Sequence, residues 1–135
     1  MLYGKEHVER YLATDGEEGH DWEKGSSVAL LTTTGRKSGE ERTTPLIYGE
    51  TPAGDHLVVA SNGGQDPPAW WLNLQEDPTA QLQVKADRFD VKAREATPEE
   101  KPGLWKQMTA QWPDYDDYQR IADHEIPVVV LQRDS

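Results

Sequence analysis

Gln81-Leu82-Gln83-Val84-Lys85-Ala86-Asp87-Arg88-Phe89-Asp90-Val91-Lys92-Ala93-Arg94-Glu95 alternates apolar and polar residues on both sides of Asp87-Arg88. A repeat of two belongs to strands with one face buried and one wet, so the stretch predicts an antiparallel hairpin turning at Asp87-Arg88. Upstream, Ser27 to Thr34 reads as a strand, and Arg42 to Gly49 as another, joined by a glycine-bounded turn. Pro45 lacks an amide donor, which suits an edge or a bulge. Gly54 then turns the chain into His56 to Ser61, and these segments are expected to form an antiparallel meander. Ile126-Pro127-Val128-Val129-Val130-Leu131 is apolar throughout and predicts a last strand buried on both faces.

Helices fall between these strands. Lys5 to Ala13 carries Val8, Tyr11 and Leu12 on one side of a helical projection, and Asp15-Gly16-Glu17-Glu18-Gly19 ends it. Asn62 to Pro68 reads as a loop, and Pro68 suits the first turn of a helix through Leu74 that stops near Asp77-Pro78. Thr97-Pro98-Glu99-Glu100 is a capping-box start for a helix reaching about Gln111. Trp112-Pro113 breaks it, and a further helix carries Tyr118 and Ile121 on one side. About six strands with short helices give a mainly β (α+β) class: one domain over residues 1–135, a small antiparallel barrel with helices packed on it.

The 135 residues suffice to bury roughly two-thirds of the unfolded surface without staples. There are no cysteines, which removes thiol catalysis and disulfides, and the four histidines lack ligand spacing, so no metal is expected. A net charge of −11 argues against a nucleic-acid surface and against attraction to anionic lipid. Met1 to His7 lacks signal-peptide character, and no run approaches the ~20 apolar residues of a membrane span, so the expected location is cytoplasmic.

Against that acidity, Gly35-Arg36-Lys37-Ser38-Gly39 with Arg42 forms a compact basic turn. It suits a phosphate or carboxylates held between amides and cationic side chains, although by itself it reads equally as a solvated hairpin. It is not a Walker A loop, because Arg36 precedes the lysine where glycine is required. Ser61-Asn62-Gly63-Gly64 lacks the spacing of a dinucleotide fingerprint. Trp70, Trp71, Trp105 and Trp112 each read first as packing, whereas Tyr115 and Tyr118 share a helical side just after a proline, placed to line a pocket. The acidic segments Glu17-Glu18 and Asp114 to Asp117 read as solvated faces.

Taken in order, these residues resemble the deazaflavin-dependent nitroreductase family, whose members use reduced F420. The resemblance runs from Asp15-Gly16 and Gly19-His20-Asp21-Trp22 through Leu30 to Gly39, Arg42, Pro45-Leu46, Ala60-Ser61 and Gly63-Gly64. It continues over Pro68 to Leu74, Asp77-Pro78, Tyr115 to Tyr118 and Ile126 to Val129. It implies a split β-barrel and F420 as cofactor. Arg36, Lys37 and Arg42 would hold the phosphate and tail carboxylates, assisted by amides around Ser38 and Gly39. Ser61, Asn62, Gly63 and Gly64, with Trp70, Trp71 and Asn73, would border the phosphate and ring.

The implied reaction is hydride transfer from deazaflavin C5 to a small electron-poor acceptor, a quinone, activated enone or nitro compound. Ile47, Trp112, Tyr115 and Tyr118 would contact the acceptor, with Ser61, Tyr115 and Tyr118 nearest the chemistry. Asn62 stands where some members have lysine, and Ile47 and Trp112 stand where the nitroimidazole-reducing type has tyrosines, which directs the expectation toward quinones and enones. The alternatives are a non-catalytic carrier of F420 or another anionic planar ligand, and an FMN barrel. The reading leaves open monomer or homodimer and a loose membrane contact through the amino-terminal helix.

Overall fold

The computed structural model describes residues 4–22 and 25–133. Seven strands form a single antiparallel sheet that curls into a split barrel: β1 (Val28–Thr34), β2 (Glu41–Ile47), β3 (Gly49–Glu50), β4 (His56–Val59), β5 (Thr79–Val84), β6 (Asp87–Glu95) and β7 (Val128–Arg133). Their order is β2-β1-β5-β6-β7-β4-β3. Four helices accompany them: α1 (Gly4–Thr14), α2 (Ala69–Glu76), α3 (Lys101–Gln111) and α4 (Asp114–Ile121). Among the described residues no helix is long and apolar enough to cross a membrane.

The expected meander forms in part: β1 pairs with β2 and, across the Gly54 turn, β3 pairs with β4, but the break after β2 sends the two hairpins to opposite ends of the sheet. β2 pairs only with β1, as Pro45 favours, and β4 reaches across to β7. The reason lies in burial. Val58, Val129 and Leu131 enter one core cluster with Trp70, Trp71 and Leu74. Leu57, Val59, Val128 and Val130 enter another with Leu104, Met108 and Tyr115. Strands apolar on both faces need covering layers on both, and the sheet interior and the α3–α4 pair supply them. The strand expected over Arg42 to Gly49 breaks at Tyr48 into β2 and β3, which makes seven strands rather than six.

Two local expectations also change. The β5–β6 turn is Lys85-Ala86, not Asp87-Arg88, because Asp87 already pairs with Val84. Lys85 takes a positive φ of 55°. Its amide donates to the Tyr11 hydroxyl at 2.6 Å, and that hydroxyl donates to the Gln83 carbonyl at 3.3 Å. In α1 the buried residues are His7 and Tyr11, four apart, while Leu12 is 44 % exposed. Ile121 does not share the burial of Tyr118's side and is 70 % exposed. Pro68 is the N-cap of α2 instead of its first residue. The Thr97 capping box forms as expected, with the Thr97 amide on Glu100 Oε1 at 2.8 Å and the Glu100 amide on Thr97 Oγ1 at 3.3 Å.

Tyr11→Phe should leave the Lys85 amide without its acceptor and cost about 1–2 kcal/mol, read as a lower urea midpoint at unchanged m. Burial raises the Tyr11 phenol above its ordinary value of 10.0 and pushes Tyr48 up to about 12. The native protein therefore keeps these protons after the unfolded chain has released them. Stability should hold below pH 10.0 and fall as pH rises toward about 12, which pH-dependent urea titrations would show.

Candidate active site

The turn after β1 is a closed structure. Gly35 N–H donates to the Glu40 carbonyl at 2.7 Å, Gly39 N–H to the Gly35 carbonyl at 2.9 Å, and Glu40 N–H to Ser38 Oγ at 3.1 Å. Gly39 has φ of 74°, a conformation glycine adopts without penalty. Its amide is thus spent inside the turn and is not a donor for a ligand.

Asn73, buried on α2, holds this turn from below. Its Oδ1 accepts both the Arg36 amide at 3.1 Å and Arg36 Nη1 at 2.9 Å, while its Nδ2 donates to Thr33 Oγ1 at 3.2 Å. A neutral amide restrains the guanidinium without cancelling its charge. Arg36, Lys37, Ser38 and Arg42 then line a chamber of about 580 Å³ together with Asn73 and Trp70.

A second cavity of about 440 Å³ adjoins it, and Thr44 and Trp70 border both. This one is largely apolar and aromatic. Pro45, Leu46 and Ile47 of β2 form one side; Trp112, Tyr115 and Tyr118 form another; Ser61, Asn62 and Gly63 supply polar groups. The Trp112 indole N–H donates to the Tyr118 hydroxyl at 3.4 Å, and Tyr115 meets Tyr118 edge to face at 6.1 Å. Burial drives the Tyr115 phenol well above the ordinary tyrosine range, so it stays a protonated donor at neutral pH. Gln111, just before Trp112, accepts the Ser27 amide at 3.1 Å and donates to the Tyr48 carbonyl at 2.8 Å, which ties the end of α3 to the residue before β1 and the break between β2 and β3.

Most residues singled out in the sequence converge on these two spaces. Three do not line them. Trp71 is 6 % exposed in the barrel core, because successive residues on a helix point about 100° apart. Gly64 packs against α4: a Cβ there would lie 2.6 Å from the Tyr118 carbonyl oxygen, so the contact demands glycine. Gly39 is the third. Conversely, sequence reading missed Thr44, His7 and Trp22. His7 Nε2 donates to the Gly19 carbonyl at 2.7 Å and its ring stacks on Trp22 at 4.5 Å, forming part of the apolar wall. The four-residue spacing from Tyr11 was the available signal for His7.

The arrangement suits a ligand flat and apolar at one end and anionic at the other. A profile of the family described as F420H(2)-dependent quinone reductase matches residues 3–133. An F420H(2)-dependent quinone reductase of Mycobacterium tuberculosis is 38% identical over 129 residues, covering 91% of this chain and 85% of its own length. The solved structure of an F420-H2 dependent reductase, FDR-A, is similar at 37% identity and TM-score 0.71, over 78% of this chain and 93% of that one. A domain-swapped dimer is similar at 36% identity and TM-score 0.74, over 95% and 96%.

Asn73→Ala should release Arg36 and strip the partner from buried Thr33. A loss of about 1–2 kcal/mol in stability and faster amide exchange at Arg36 are expected, measured by denaturation and by hydrogen exchange.

Proposed function

The chain belongs to the F420H(2)-dependent quinone reductase family, and from that membership we propose that a quinone or activated enone is reduced in the apolar cavity while the basic chamber holds the cofactor's anionic tail. The protein is an oxidoreductase with F420H2 as its reductant. One observation carries the assignment of the two spaces: a cationic chamber and an aromatic cavity, opposite in chemistry, meet at Thr44 and Trp70. FMN also joins a planar ring to a terminal phosphate, and the family membership is what favours F420 over it.

When bound, reduced F420 supplies a hydride from its deazaflavin C5. The chain's own residues do the rest. Arg36, preset by Asn73, and Lys37 bind phosphate and carboxylate oxygens through charge-assisted hydrogen bonds, with Arg42 at the rim. Trp70, which borders both spaces, would stand between the cofactor's tail and its ring. Ser61 and the backbone at Asn62 and Gly63 border the ring with polar groups, and Ile47 with Trp112 shapes the apolar side for a planar acceptor. Tyr115 and Tyr118 present phenolic O–H donors to an acceptor oxygen, and their wall excludes bulk water. The proton itself comes from one of these phenols or from solvent.

Titration with F420 and with FMN, followed by mixing reduced F420 with menadione, tests this reading. Selective F420 binding with acceptor-dependent oxidation is expected; no F420 binding would overturn it. Lys37→Ala should weaken F420 binding roughly tenfold, a change of about 1.4 kcal/mol, and lessen its salt dependence. Tyr118→Phe should lower turnover several-fold more than it changes the dissociation constant. Parent-like behaviour of both variants would refute the residue roles.

A further inference from the structure

Glu41, the first residue of β2, lines the basic chamber with Arg36, Lys37 and Arg42. A carboxylate in the wall of an anion site works against its ligand. Among the described residues Glu41 has no ion-pair partner; the neighbouring Glu40 is the one that approaches Arg42, at 3.5 Å. The side chains lining the chamber therefore set three cations against one carboxylate, and Glu40 further offsets Arg42. That balance leaves little positive charge for anionic groups beyond a phosphodiester and the carboxylate nearest it. The rest of the surface gives no further attraction, since the chain carries −11 overall.

Resting on the cofactor reading above, we infer that Glu41 is a specificity-determining residue that limits the anionic charge the chamber accepts. The phosphodiester and first glutamate of F420 are held, and each further glutamate of the tail is turned out into solvent. Repulsion directed at the wrong ligand is a common route to selectivity, and here it falls on charge beyond the first carboxylate. Glu41 is exposed, so water and salt weaken the effect without reversing its sign.

The test is a series of F420 samples with one, three and five glutamates, titrated by cofactor fluorescence at low salt against the parent, Glu41→Gln and Glu41→Lys. The parent should show affinity that is flat or falls with tail length. In Glu41→Gln longer tails should bind roughly two- to fivefold tighter than the shortest, a gain lost at high salt, and Glu41→Lys should extend it. The inference is overturned if the parent already tightens with length as steeply as Glu41→Gln, or if the variants change every tail equally. Failure of the parent to bind any of the samples would instead remove the cofactor reading, and the inference with it.

Discussion

Pairing of β4 with β7 sets Val59 beside Val128, Val58 beside Val129 and Leu57 beside Val130. Because side chains alternate, this one ladder sends apolar groups into two separate cores. Each such side chain gains about 1.5–3 kcal/mol when taken from water, so neither face tolerates solvent. The curl of the sheet and α2 cover one face, while α3 and α4 cover the other. α4 thereby brings Tyr115 and Tyr118 over the end of β2. The burial that completes the second core also builds the aromatic wall of the cavity, so stability and site share one cause.

Charge is distributed with comparable economy. An acidic chain gathers Arg36 and Lys37 in one turn beside Arg42, and Asn73 restrains Arg36 through a neutral acceptor. Pairing with a carboxylate would have restrained the guanidinium equally but neutralised it. Arg42, paired with Glu40 on the surface, shows that alternative, and solvent keeps the pair weak.

The amino-terminal helix reaches the site by a close approach. At Gly19, φ is 106° and a Cβ would sit 2.9 Å from His7 Cδ2, so glycine is what allows the His7 ring to reach the Gly19 carbonyl. Tyr11, one turn on, reaches the β5–β6 turn with its hydroxyl. The two contacts dock α1 on the barrel and set His7 and Trp22 into the cavity wall.

Local regularities were legible in the chain. The alternation at Phe89 to Glu95, the capping box at Thr97 and the edge position implied by Pro45 each depend on neighbours a few residues away. The β5–β6 turn was misplaced because Lys85 is held left-handed by Tyr11, 74 residues distant, and no local signal reports that contact. Ordered motifs pointed to the basic turn and to aromatic residues that line the two cavities, but could not distinguish Trp70, which is in the core and also borders both cavities, from Trp71, which is in the core alone. The sequence by itself determined the element types, the cationic turn and the chemistry available, since period, composition and charge are properties of adjacent residues. Only the tertiary structure decided that β4 joins β7, that Gly64 seats α4 and that two unlike cavities meet at Thr44 and Trp70. Those outcomes depend on which distant surfaces can be buried against each other.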